Sequence, residues 1–219
     1  MQKMKLNKFL IAGGNSTLLI KGCPSNDKKQ FITKYLGDVE QIGFIESKNN
    51  IPYLNMMGGE LCINATIALA SLCGNKGKLY TSGIYTPVNY FNENGMTTIQ
   101  LIINFRQEEN IILLNGIGFI LLKEKTNLEL LLKQLAQKYN LPAFGALYFQ
   151  NFLTPFVYVV ETNSLCKETA CGSGSIALSI LLGIKEITQT TGEIIKVEKT
   201  GSNFLITASV KNLKGGEKK

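Results

Sequence analysis

Two stretches of this chain match each other: Cys62–Gly74 (CINATIALASLCG) and Cys171–Gly183 (CGSGSIALSILLG). Aligned from the first cysteine they agree at Cys62/Cys171, Ile67/Ile176, Ala68/Ala177, Leu69/Leu178, Leu72/Leu181 and Gly74/Gly183. Each reads as a helix that opens at a cysteine and stops at a glycine. A long unit that occurs only twice points to a duplicated domain rather than a solenoid, whose repeats are shorter and more numerous.

The cysteines narrow the chemistry. Five of them in 219 residues is an odd number, and the N-terminal lysines Lys3, Lys5 and Lys8 precede an apolar run (Phe9–Ala12) too short for a signal-peptide core. Reduced thiols in a cytoplasmic protein are expected, without a disulfide framework. The spacings Cys62–Cys73 and Cys166–Cys171 are not those of a zinc knuckle, and the sequence has 0 His, so no metal is expected. The missing histidine also removes Ser-His-Asp and Cys-His catalysis. Proton transfer near neutral pH falls to Cys, Lys, Tyr or a perturbed carboxylate. Net charge is +7, but the cations are scattered lysines with a single arginine, Arg106. The lysine-rich tail Lys211–Lys219 reads as a solvated end, and nucleic acid is not an expected partner. Nor is a membrane, since no apolar run approaches the ~18 residues of a span.

Along the chain, strand-like runs flank a Gly13-Gly14-Asn15 turn, where Asn15 either suits the turn or presents its amide. A short helix is predicted over Asp27–Leu36, and strands over Val39–Ile45, Ile51–Met57, Lys78–Ile84, Val88–Asn92 and Met96–Phe105. Asn94-Gly95 marks a hairpin between the last two. Polar Gln107–Asn110 is the candidate linker, dividing a first domain (1–107) from a second (108–203). The second round comprises strands Ile111–Leu114 and Phe119–Lys123, helix Leu128–Tyr139, and strands Ala146–Gln150 and Phe156–Val160. A loop Glu161–Thr169 leads to the second cysteine helix, and strands Ile194–Lys199 and Phe204–Val210 close the chain. The Gly-x-Gly stretches lack nucleotide-loop spacing.

A helix start offers unpaired N–H groups and a positive dipole end, so a thiol there is expected to tend toward thiolate and an anion to find donors. Gly172, Ser173 and Gly174 allow close backbone approach, and Asn64, matched to Ser173, adds an amide. Two such helices aimed at one cleft would place a sulfur on either side of a substrate's α-carbon, which suits racemisation by paired thiols. The alternative is that both cysteines are simply buried core residues, as free Cys commonly is. The residues alone leave the two readings level. Cys73 reads as structural, and loop residues Cys23 and Cys166 receive no role.

GGELCINAT (Gly58–Thr66), ETACGSGSIAL (Glu168–Leu178) and AGGNSTLLI (Ala12–Ile20) resemble the marks of the diaminopimelate epimerase-like superfamily, over most of the chain. The resemblance implies an α/β (α+β) fold of two similar, pseudo-symmetric domains, each a curved, mostly antiparallel sheet around a central helix. The active site would lie in the cleft between, with the last strand (204–213) returning to the first domain. It implies an isomerase without cofactor, pyridoxal-independent, with Cys62 and Cys171 as the acid/base thiols. Asn15, Asn64, Ala65, Glu168, Gly172, Ser173 and Gly174 would bind an amino-acid substrate, and a homodimer stands as the candidate assembly. The usual CGNGxR is replaced here by Cys62-Ile63-Asn64-Ala65-Thr66-Ile67, and an ERG-type segment by Glu161–Lys167, both without arginine. A distal substrate carboxylate thus loses its expected partner. The motifs are closer to the histidine racemases of opine-metallophore biosynthesis, which implies L-histidine to D-histidine. Diaminopimelate epimerase and a catalytically silent small-molecule-binding protein of the same fold are the alternatives.

Overall fold

The computed structural model describes residues 4–213. The part of the lysine-rich end from 214 onward lies outside them. A first run of elements comprises β1 (Lys5–Ile11), β2 (Asn15–Lys21), α1 (Lys28–Tyr35), β3 (Gln41–Lys48), β4 (Ile51–Met56), α2 (Ile63–Leu72), β5 (Lys76–Thr81), β6 (Val88–Glu93) and β7 (Met96–Ile102). A second comprises β8 (Arg106–Glu108), β9 (Ile111–Leu114), β10 (Ile117–Leu121), α3 (Leu128–Tyr139), β11 (Ala143–Phe149), β12 (Leu153–Val159) and β13 (Ser164–Lys167). The chain continues through α4 (Gly172–Leu182), β14 (Glu186–Thr188), β15 (Ile194–Thr200) and β16 (Asn203–Leu213).

One sheet runs β1-β2-β3-β4-β5-β6-β7-β16-β15-β14 and curls until β1 meets β16, with Lys8 opposite Leu213 and Ile11 opposite Val210. The curl is driven by alternation. In β7 the side chains of Thr97, Ile99 and Leu101 point inward, and in β16 those of Phe204, Ile206 and Ala208 do so, while their neighbours face water. Inside lies α2, whose residues Ile63–Ala70 are all buried. A helix apolar on every side has to be surrounded, and the barrel-like sheet surrounds it. At the β6–β7 turn Asn94 and Gly95 both have positive φ (50° and 77°), the backbone the Asn-Gly pair predicts.

The second sheet runs β13-β12-β11-β10-β9-β8 and is covered on both faces. Amphipathic α3 packs on one face through Leu132 and Ala136, and α4 touches β9 and β10 as well as β14 and β15. At the centre of this sheet two parallel neighbours exchange small for large. Gly118 lies opposite Phe144, and Phe119 lies opposite Gly145, so each ring sits over a glycine. Phe144 fills the α3 side and Phe119 the α4 side.

Three short strands depart from the sequence expectation. The Gln107–Asn110 stretch is not a free linker, because β8 pairs with β9 and the chain turns at Glu109 with φ 49°. Its polar side chains have work at the sheet edge: Glu108 accepts from Tyr139 Oη at 2.6 Å, and Arg106 lies over the Tyr139 ring. The expected loop Glu161–Thr169 contains β13, an edge strand on β12, and β14 was not expected as a strand at all. Among the described residues no helix is long and apolar enough to cross a membrane.

The glycine–phenylalanine exchange is testable. A Cβ at Gly145 would sit 2.5 Å from the Phe119 ring. Gly145→Ala, ordinarily favourable in a strand, should therefore destabilise by about 1–3 kcal/mol in urea unfolding. An unchanged or raised midpoint would show that the ring does not need the space.

Candidate active site

The two cysteine helices meet start to start. Cys62 and Cys171 are N-cap residues with extended backbone, each followed by its helix. Cys62 Sγ accepts from Ala65 N–H at 3.4 Å and Cys171 Sγ from Gly174 N–H at 3.2 Å, sulfur taking the place of the usual cap oxygen. The matched hydroxyls Thr66 and Ser175 donate back to the Cys62 and Cys171 carbonyls, both at 2.7 Å. The repeat is thus a repeat of geometry as well as of letters.

Asn64 and Ser173, at matching positions, bind the opposite helix. Asn64 Oδ1 accepts from Gly172 N–H at 2.9 Å while its Nδ2 donates to the Ala170 carbonyl at 2.9 Å. Ser173 Oγ accepts from Ile63 N–H at 3.4 Å. The approach is close enough that a Cβ on Gly172 would overlap the Ile63 side chain. Glycine is required there by contact, not by backbone angle.

A cavity of about 380 Å³ opens at this junction. Cys62, Cys171, Asn64, Glu168 and Ser173 line it; Asn15, Ala65, Gly172 and Gly174 do not. Ala65 and Gly174 sit behind the sulfurs as their N–H donors, and Gly172 lies at the helix contact. Asn15 is wholly buried, its Nδ2 donating to Glu40 Oε2 at 2.8 Å and its Oδ1 facing Gln41. The remaining wall combines apolar side chains (Met57, Leu61, Ile117, Val157, Val159, Leu165), acidic ones (Glu40, Glu60, Asp38) and the polar Ser16, Gln41, Ser164 and Cys166. Among the described lining residues there is no lysine or arginine.

Electrostatics reverse one expectation. Both thiols lie well above the ordinary thiol range, not below it, because burial dominates and the nearby Glu168 carboxyl adds to it. The N–H groups of Ala65 and Gly174 pull the other way and are outweighed. Burial also pushes Glu168 up to about 8, despite its hydrogen bond with Cys171, with Glu40 and Glu60 raising it further. Glu168 Oε2 finds no hydrogen-bond partner among the described residues. Glu60 is raised by burial while Gly58 N–H donates to it at 2.9 Å. Glu40 is raised by burial in spite of donors from Thr169, Ser16 and Asn15.

Several residues here had no role in the sequence reading. Cys166 lies on β13, not in a loop, and lines the cavity with its thiol pushed up to about 12 by burial. Gln41 Oε1 accepts from Cys62 Sγ at 2.9 Å, and Gln189 Oε1 accepts from Cys171 N–H at 2.9 Å. Nothing local marks either glutamine. The paired hydroxyls Thr66 and Ser175 were visible in the aligned repeat, as matched polar residues inside apolar helices.

The family model described as the histidine racemase CntK N-terminal domain matches residues 89–217, well over half the chain. The chain belongs to this family. The matched span contains Cys171 and not Cys62. Two curated histidine racemases, from two strains of Fusobacterium nucleatum subsp. nucleatum, are 25% and 27% identical to it over 77% of the chain and 78% and 77% of their own lengths. The chain is accordingly an amino-acid racemase, an isomerase. Solved structures of phenazine biosynthesis PhzF-type proteins share the fold. That from Bacillus anthracis has TM-score 0.62 at 12% identity, over 98% of each chain. The PhzC/PhzF protein from Clostridium difficile has TM-score 0.59 at 13% identity, over 97% of this chain and 99% of that one.

The racemase's Glu168 makes stability depend on pH. Its folded pKa, about 8, exceeds the ordinary carboxyl value of 4.5, so its contribution is full below the lower value and is lost as pH rises through the higher. The melting temperature should fall between about pH 5 and about pH 8, and Glu168→Gln should flatten much of that slope. Glu40 and Glu60, shifted with the same sign, should keep a remainder. A wild-type slope that persists unchanged in Glu168→Gln would place the buried proton elsewhere.

Proposed function

We propose that this racemase interconverts L- and D-histidine by a two-base transfer between Cys62 and Cys171, without a cofactor. The observation that carries the reading is that two matched thiols, each capping a buried helix, line one cavity from two helix starts that meet. In each turnover one sulfur, as thiolate, takes the α-proton from one face while the other, as thiol, delivers its proton to the opposite face. The enzyme ends with the two protonation states exchanged, and a proton must return before the same enantiomer is taken again. The facing helix starts supply N–H donors and positive ends for the α-carboxylate and for charge developing on it. High thiol pKa values help here, since a desolvated thiolate is a stronger base toward a weakly acidic C–H.

The wall supports histidine over a dicarboxylate. Glu40, Glu60 and Glu168 line the cavity, with no described cation to neutralise them. An imidazole or imidazolium can donate hydrogen bonds to these carboxyls whether or not they ionise, whereas a distal carboxylate, able only to accept, is tolerated only while they keep their protons. Diaminopimelate is correspondingly disfavoured.

The test is α-proton exchange in D2O, followed by proton NMR and chiral chromatography under reducing conditions. Wild type should wash out the α-proton of histidine and generate its enantiomer, leaving LL-diaminopimelate untouched. Cys62→Ala and Cys171→Ala should each lose racemisation by about 10³-fold or more while retaining the wild-type fold by circular dichroism. Full racemisation in either single variant would end the two-thiol reading, and a different preferred amino acid would end the histidine one.

A further inference from the structure

The two thiols are equivalent in the repeat but not in what stands beside each sulfur. Cys171 lies against the Glu168 carboxyl, which when protonated can donate a hydrogen bond to a Cys171 thiolate and return the proton. Cys62 donates to Gln41 Oε1 at 2.9 Å, an amide oxygen that accepts a hydrogen bond and cannot take the proton away. The amide is not free to turn. Glu40 Oε2 accepts from Thr169 N–H at 3.2 Å and from Asn15 Nδ2 at 2.8 Å, which fixes Asn15 with its oxygen toward Gln41. Gln41 Nε2 donates to that oxygen at 2.6 Å and to Thr17 Oγ1 at 2.8 Å, while Thr17 Oγ1 itself donates to Asn15 Oδ1 at 2.9 Å. With both partners of Nε2 acting as acceptors, Oε1 faces the sulfur. Asn15 and Thr17 are wholly buried, so although Gln41 lines the cavity, water does not reach the two acceptors that hold its Nε2.

Among the described residues no amide oxygen stands at the Cys171 sulfur. Gln189 donates to Ser175 Oγ and the Ile187 carbonyl, and its oxygen takes the Cys171 backbone N–H rather than the sulfur.

We propose that Gln41 is a positioning residue that, oriented by Asn15 and Thr17, keeps Cys62 as the protonated member of the pair, so that the resting enzyme presents Cys171 as base and Cys62 as acid. The inference rests on the two-thiol racemase reading and adds direction to it. Each free form of the enzyme binds the enantiomer whose α-proton faces its thiolate. For interconversion of mirror-image substrates the equilibrium constant is one, so kcat/KM must be the same in both directions whatever the bias. The bias therefore appears in kcat and KM separately: at equal intrinsic affinities the ratio of the two kcat values follows the ratio of the two free forms. A residue that merely supports the fold would lower both kcat values together and leave their ratio alone.

The experiment compares wild type, Gln41→Met and Thr17→Val in two measurements. The first is the kcat and KM for L- and D-histidine. The second is substrate-free alkylation by iodoacetamide, with Cys62 and Cys171 quantified separately by peptide mass spectrometry. Wild type should label first at Cys171. Gln41→Met, having lost the acceptor, should shift labelling toward Cys62 and move the kcat ratio on the order of fivefold, the scale of one net hydrogen bond. Thr17→Val, which only loosens the amide, should move both in the same sense by less, and it decides the matter if Gln41→Met fails to fold. Unchanged labelling and an unchanged kcat ratio in folded variants would overturn the proposal. Should wild type not act on histidine, the substrate reading falls and the alkylation arm alone judges Gln41.

Discussion

The site depends on two helices whose starts are pressed together inside the protein. That arrangement is costly, because it brings two positive dipole ends and several unpaired N–H groups into one buried place. The chain satisfies Ile63 and Gly172 N–H with side chains of the opposite helix, and Ala65 and Gly174 N–H with the capping sulfurs. Asn64 ties to the backbone on either side of Cys171, and Ser173 reaches Ile63. The two halves are thereby fixed relative to each other at the residues that flank the sulfurs, and Gly172 supplies the space for the approach. The barrel-like sheet around α2 and the second sheet behind α4 serve to hold this junction.

Burial then does what a helix start alone does not. In water, a capping thiol is expected to ionise more readily; here, desolvation and the Glu168 carboxyl outweigh the N–H donors, and both thiols are pushed up. Such a pair is poor at being thiolate and for that reason a strong base when it is one. The same desolvation that raises the sulfurs raises Glu168 to about 8, so a neutral carboxyl able to exchange a proton with Cys171 sits inside the cavity at ordinary pH.

What was legible in the sequence was local. The cysteine caps, the stop at Gly183 with φ 71°, helix α3 between Asn127 and Pro142, and the Asn94-Gly95 hairpin are all written in adjacent residues. The strands β8, β13 and β14 were not, because a three- or four-residue edge strand carries no usable period and pairs only when its neighbour is already in place. Gln41 is the sharper case. It stands at the head of β3, and its effect on Cys62 exists only because β2 pairs with β3 and sets Asn15 and Thr17 beside it. The direction of the thiol shifts was misread for the same reason: burial is a property of the whole fold, while a helix start is a property of three residues.

Charge is divided between surface and interior, and this bears on what the cavity receives. Lysines predominate among the charged residues, yet the buried ionisable carboxyls are Glu60 and Glu168, and no buried lysine or arginine stands among the described residues. A cavity built this way holds protons in place of counter-ions. On the histidine reading, an entering cation does the work that a buried arginine does elsewhere: it lets a carboxyl ionise, and the displaced proton leaves with water or passes to a neighbour. Glu168, with one oxygen unpartnered and Cys171 against the carboxyl, is placed to couple substrate charge to the protonation of the thiol pair. On that reading selectivity and proton transfer reside in the same side chain, which is how a racemase with no histidine of its own would manage protons near neutral pH.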